Sequence, residues 1–304
     1  MPNSFNRREI LKQGGGAIAS LAAGAMLTNA TLSKAADEPP AKKRDVKKAI
    51  MYATIGFKGS VLEKFQAAKV AGFEGVEPMS HMPQDEVLAA FAATGLKAAS
   101  VCCNTHWSKT LSHPDEKIRK EGVEGVIQTL KDAKRYEATS ILLVPGRVGK
   151  EATYEECWSR SIIEIRKIIP VAAELGVKIA IENVWNDFIT KPEQAKQYLD
   201  EIDSPHVGWH FDIGNVIKYS PPETWIPVIG KKILKLHIKE FAKTSGKGFG
   251  VKLFEGDNDW PAIMKALDAV GYSGWGISEQ PGGQSQDLDA FKDLGERMNK
   301  AFAS

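Results

Sequence analysis

From Ala49 onward, short apolar runs alternate eight times with longer stretches whose apolar residues recur at helical spacing. The runs predict strands over 49–54, 73–77, 97–102, 139–144, 177–182, 206–211, 233–238 and 274–279. The longer stretches predict helices over 60–71, 83–94, 115–136, 153–175, 191–202, 222–230, 259–270 and 286–301. Gly72, Gly95, Gly176 and Gly271 fall where these helices must end, and Pro83, Pro192 and Pro261 fall near helix starts, where a missing N–H costs little. Strands separated by helices pair in parallel through crossovers. Eight such units in roughly 250 residues predict a single α/β domain, a (β/α)8 TIM barrel over 49–304. The competing doubly wound open sheet would gather ligands at one switch point. No GxGxxG follows a strand, so a dinucleotide site has no support.

Four consecutive predicted strands each finish on a side chain that can bind a metal. Ile179 to Ile181 leads to Glu182, Val207 to Phe211 to Asp212, Ile233 to Leu236 to His237, and Trp275 to Ser278 to Glu279. In a parallel barrel the C-terminal strand ends converge, so residues far apart in sequence meet at one rim. Any one of these side chains could be no more than a helix cap or a loop partner. Together they predict an oxygen-rich site for one divalent ion, manganese first, with magnesium, cobalt or zinc also compatible. Such a site can chelate adjacent carbonyl and hydroxyl oxygens and acidify the hydrogen between them, and Glu182 and Glu279 are the candidate acid and base.

The first three dozen residues read differently. Asn6-Arg7-Arg8-Glu9-Ile10-Leu11-Lys12 is a twin-arginine pattern, followed by a weakly apolar run from Gly14 to Leu27 and small residues to Ala36. Residues 1–36 are therefore expected to be a Tat export signal, 37–48 a linker, and the protein periplasmic or otherwise exported. The apolar run is shorter than the roughly 20 residues a membrane span needs. The formal charge of +2 is carried largely by this segment; beyond residue 36 there are 36 basic and 37 acidic residues. That balance gives no footprint for nucleic acid or an anionic membrane. Cys102, Cys103 and Cys157 make no disulfide framework, and the adjacent pair should face opposite sides of a strand as small core residues.

Ile181-Glu182-Asn183, Phe211-Asp212-Ile213-Gly214-Asn215, Leu236-His237-Ile238-Lys239-Glu240, and the run from Glu255-Gly256-Asp257 through Trp260-Pro261 and Gly274-Trp275 to Glu279 carry a family resemblance. The chain from Ala49 to Ala301 resembles the xylose isomerase-like TIM barrels of the sugar phosphate isomerase/epimerase superfamily. That superfamily includes ketose 3-epimerases, hydroxypyruvate isomerases and, more distantly, endonuclease IV. The resemblance implies that Glu182, Asp212, His237 and Glu279 are the metal ligands and that the two glutamates exchange the proton. One departure stands out: the epimerases usually place a substrate-binding histidine where this chain has Asn215, which can hydrogen-bond a hydroxyl but not titrate.

Further candidates for substrate contact are Glu77, His106, Trp107 and Lys239, the last sharing a strand face with His237; Glu77 reads equally as a residue that holds a partner behind the site or as one half of a structural ion pair. His210 reads as a satisfied core histidine, and Trp185 as a wall or cover of the site. The segment 241–259, with Gly246, Gly248 and Gly250, is a candidate lid, and Gly282-Gly283 sits where many barrels bind phosphate. The expected activity is metal-dependent isomerisation or epimerisation of a non-phosphorylated keto sugar or hydroxy-carbonyl compound. A lyase or hydrolase acting on keto-glycosides is the runner-up, and a non-catalytic sugar-binding barrel the alternative from another class. A phosphodiesterase like endonuclease IV would need more histidine ligands than the six histidines here place at strand ends. Superfamily members often associate, so a homo-oligomer is compatible, although no segment marks an interface.

Overall fold

The computed structural model describes residues 44–56, 58–280 and 286–304. The expected export signal, most of the expected linker and Gly282-Gly283 lie outside the described residues. The chain runs β1 (Val46–Met51), α1 (Val61–Val70), β2 (Gly75–Glu77), α2 (Gln84–Thr94), β3 (Lys97–Ala98), β4 (Val101–Cys102), α3 (Glu116–Arg135), β5 (Ser140–Leu143) and α4 (Tyr154–Leu175). It continues through β6 (Lys178–Glu182), α5 (Pro192–Ile202), β7 (Val207–Asp212), α6 (Ile213–Val216), α7 (Pro222–Ile229), β8 (Ile233–Ile238), α8 (Trp260–Ala269), β9 (Gly274–Ser278) and α9 (Leu288–Ala303).

Every strand pairing is parallel, in the order β3-β2-β1-β9-β8-β7-β6-β5-β4. β3 and β4 are halves of the third predicted strand, divided at Ala99-Ser100. The first half pairs with β2 and the second with β5, and Cys102 also bridges to Met79 just beyond β2. Both ends of the sheet order thus belong to one chain segment, and the sheet curls into a nearly closed barrel ringed by helices.

Local chemistry sets the helix limits. Ser60 with Glu63 and Thr153 with Glu156 form capping boxes at the starts of α1 and α4. Gly95 and Gly176 end α2 and α4 at φ 69° and 67°, a left-handed backbone that costs glycine little. The strand pleat divides the apolar residues into two populations. Ile50, Val76, Ile141, Ile179, Trp209 and Leu236 join the large core between sheet and helices. Ala49, Ala99, Cys102, Leu142 and Ile277 form a small cluster with Met51, Val144 and Val184. Cys102 and Cys103 fall in different clusters, as adjacent strand residues should.

The first strand begins at Val46, three residues before the predicted start, and residues 52–54 form a 3-10 turn instead of its end. Lys47 and Lys48 hid it by reading as linker. Lys48 is buried, its Nζ donating to Gly295 O and Asn299 Oδ1 of α9, each at 2.9 Å. Arg44 Nε forms an ion pair with Asp268 at 3.0 Å. Residues 44–48 are thereby tied to the barrel. No helix among the described residues is long and apolar enough to cross a membrane.

Candidate metal centre

β6, β7, β8 and β9 are adjacent in the sheet, and register brings Asp212 opposite His237 and Glu182 opposite His210. Donor atoms of Glu182, Asp212, His237 and Glu279 all lie within 4.8 Å of one another. His237 Nδ1 is the hub, 2.9 Å from Glu182 Oε1, 3.2 Å from Glu279 Oε2 and 3.8 Å from Asp212 Oδ2. Lys239 Nζ reaches in from the same face of β8, 2.9 Å from Asp212 Oδ2 and in contact with Glu279 Oε2.

Neighbours fix these side chains. Asp212 Oδ1 accepts from Asn215 N at 2.7 Å and so caps α6, which leaves Oδ2 to face the cluster. The side-chain oxygen of Asn183 accepts from Trp209 Nε1 at 2.9 Å and Asp212 N at 3.1 Å, and its amide donates to Asp212 O at 2.8 Å. One asparagine therefore clamps the end of β6 to the end of β7. Gly214 allows α6 to touch β8: a Cβ there would stand 2.8 Å from Lys239 O.

Burial and charge pull against each other here. Burial pushes Glu182 up to about 7, against the pull of His237. Burial also pushes Glu279 up, but Lys239 and His237 outweigh it and hold that carboxyl well below the usual range. His237 is lowered by burial and raised further by Glu279, Glu182 and Glu77, ending well above an ordinary histidine. Lys239, lowered by burial, is raised on balance by Asp212, Glu279 and Glu182.

Three carboxylates and one imidazole make a hard donor set, and Asp212 Oδ2 and Glu279 Oε2 both turn into it with Lys239 Nζ as their shared cationic neighbour. Three carboxylates so close together are costly in a protein interior, and a divalent cation would balance their charge through hard oxygen donors. The residues fit such an ion.

Glu182 and Glu279 of the cluster line a cavity of about 270 Å³, just below the roughly 300–1,000 Å³ typical of ligand pockets. Its size suits a small molecule. A larger groove of about 450 Å³ beside Gly230 and Tyr272, at the opposite ends of β8 and β9, carries no comparable cluster. His106, Trp107, Asn215 and Lys239 line the cavity. His106 is buried, its Nδ1 accepting from Val144 N at 3.2 Å, and burial lowers its pKa to about 4, which keeps it neutral. Asn215 Nδ2 donates to Asn183 O, and its Oδ1 accepts from Lys239 at 3.5 Å.

Two readings need correction. Glu77 does not line the cavity; it is fully buried, its Oε2 3.0 Å from His237 Nε2, on the ring edge away from the cluster. Stagger in a tilted barrel puts the end of β2 behind the imidazole. His210 is a core residue but not a satisfied one, since neither ring nitrogen has a hydrogen-bond partner. Burial holds it well below the usual histidine range.

The candidate lid contributes Phe249, which packs on Trp185 at 4.9 Å between ring centres and lines the cavity beside it. Buried Glu240 anchors this segment by accepting from Phe254 N, Asn258 N and Trp260 Nε1. Gln280 Nε2 donates to Phe249 O and Val251 O from the other side. Asn183, Phe249, Glu240 and Gln280 were not singled out from sequence. Three of the four stand within or beside the motifs around Glu182, His237 and Glu279, the signal that could have found them.

A parallel barrel with a carboxylate-rich cluster at its C-terminal rim defines a class of metal-site α/β barrels. The profile of the xylose isomerase-like TIM barrel family matches residues 65–300, and the chain belongs to that family. A mannonate dehydratase of Thermotoga maritima is 28% identical over 198 residues, covering 56% of this chain and 54% of that protein. The chain spans about half the length of the first curated relatives it matches, 57% and 54%. The structure of a 3-keto-D-glucoside 4-epimerase from E. coli superposes with a TM-score of 0.72 at 18% identity, covering 85% of this chain and all of that one. D-psicose 3-epimerase from Clostridium cellulolyticum H10 gives 0.72 at 19% identity, covering 84% and 98%.

Proposed function

We propose that the protein is a divalent-metal-dependent isomerase or epimerase of a non-phosphorylated keto sugar or related hydroxy-carbonyl compound. The observation that carries this reading is a pair of glutamates, Glu182 and Glu279, that belong to one four-donor cluster and both line the cavity. A divalent ion held by Glu182, Asp212, His237 and Glu279, manganese by preference, supplies the charge that acidifies a hydrogen next to a carbonyl. Glu182 and Glu279, both facing the cavity, are the pair placed to take a proton from the substrate and return it. Lys239 offers its ammonium to a substrate oxygen. Trp107 and Trp185, 49% and 41% exposed at the cavity, offer ring faces to sugar C–H groups, and neutral His106 and the Asn215 amide offer hydrogen bonds.

Loss of a leaving group from the carbon beyond the abstracted proton would make the same site a lyase, and the likeness to a mannonate dehydratase favours testing for it. The twin-arginine pattern at Arg7-Arg8 supports our further reading that the protein is exported. Proton NMR in heavy water with magnesium tests the chemistry on free ketoses, hydroxypyruvate and keto-glycosides. Deuterium entering beside a carbonyl, and absent with Glu279→Gln, is expected. Aglycone release would move the activity to the lyase, and no change on any substrate would leave the binding barrel.

A further inference from the structure

His237 has different partners on its two ring nitrogens. Nδ1 faces Glu182 at 2.9 Å and Glu279 at 3.2 Å, whereas Nε2 faces Glu77 Oε2 at 3.0 Å. Glu77 comes from β2, across the barrel from β8, and both it and His237 are fully buried. The His210 ring packs edge-on against the imidazole, 4.2 Å between centres, and limits its rotation. On the same face of β8, Lys235 is buried with Nζ donating to Thr139 Oγ1 at 2.8 Å, and burial lowers its pKa to about 8 against the pull of Glu77.

An imidazole that ligates a cation through one nitrogen carries its proton on the other. With the proton on Nε2, the ring donates to Glu77 and presents the Nδ1 lone pair to the cluster. With the proton on Nδ1, the cluster-facing edge is blocked and the Nε2 lone pair meets carboxylate lone pairs. A carboxylate behind a ligating histidine fixes its tautomer and makes the ring a stronger donor.

We propose that Glu77 is a positioning residue: it accepts the Nε2 proton of His237 and thereby sets the tautomer and the cation affinity of the centre. This rests on the metal reading above. Glu77→Gln keeps the shape of the side chain, but its amide can donate to Nε2 and so favour the blocked tautomer. Glu77→Asp keeps the charge and withdraws it by one methylene.

Calorimetric titration of the full chain with manganese chloride is expected to show binding weakened roughly 10- to 100-fold in Glu77→Gln, with Glu77→Asp between it and the wild type. Nitrogen-15 NMR of the zinc-loaded wild type, which needs no variant to fold, should show His237 protonated on Nε2 and ligated through Nδ1. A folded Glu77→Gln protein with unchanged manganese affinity, or a His237 ligated through Nε2, would overturn the proposal and leave the metal reading standing. A wild type that takes up no cation would remove both.

Discussion

The two halves of the barrel interior handle buried polarity in opposite ways. On the β6–β9 side, Glu182, Asp212, His237, Lys239 and Glu279 sit in one cluster, and the protonation of Glu182, His237, Lys239 and Glu279 is set by charged neighbours as well as by burial. On the β1–β5 side, the groups near the same cavity are kept neutral: burial lowers His106 to about 4 and pushes the Cys102 thiol well above its usual range. Glu77 is the carboxylate of that side that crosses over, and its partner is His237. Charge is tolerated where opposite charge or a cation meets it, and elsewhere the fold removes it.

The comparison breaks most visibly in turnover. Glu279→Gln removes the carboxylate that Lys239 and His237 hold ionised, and steady-state assay should show kcat reduced on the order of a thousandfold.

The next effect belongs to the neutral side. His106 stays uncharged in the folded protein down to about pH 4, whereas an unfolded histidine takes up its proton near 6.5. Its folded pKa is depressed, so its contribution to stability is complete above pH 6.5, declines as pH falls and levels off below about 4. The loss is on the order of 3 kcal/mol, and urea titrations of wild type and His106→Gln should diverge across that window.

Asn183→Ala strips Trp209 Nε1 and the Asp212 amide of their shared acceptor and should cost about 2 kcal/mol in the same titration, with weaker manganese binding. Smallest is Ser100→Ala on the other side. It removes a bond to Ser140 O of 3.2 Å, should cost no more than about 1 kcal/mol, and should leave manganese affinity unchanged.

The charged side was also the more legible. Its strands are five or six residues long and buried nearly throughout, so they read as short apolar runs that close on or beside a metal-capable side chain, and apolar pattern and chemistry point to the same positions. The helices emerged within about two residues of their predicted limits because caps and glycines mark them. The β1–β5 side was harder to read. Lys47 and Lys48 masked the start of β1, since a pattern of charges does not show that Lys48 reaches carbonyl and amide acceptors under α9. The third strand was read as continuous because Ala99-Ser100 carries no turn signal; its division follows from the need to pair with β2 and then β5. The sequence leaves Glu77 open between a substrate contact and a partner behind the site, because a strand-end position gives no depth in a staggered barrel. Helix α6 was missed because four residues are too few for a periodic signal, and the aspartate that caps it had been given another role.

Equilibrium dialysis against manganese, followed by elemental analysis, of the wild type and Asp212→Asn tests the four-donor centre most directly. Asparagine can still cap α6 through its side-chain oxygen, so this substitution removes charge from the cluster while sparing the local fold. The centre predicts one manganese retained per wild-type chain and strongly reduced retention in the variant. A wild type that retains none, or a variant that retains as much, would contradict it.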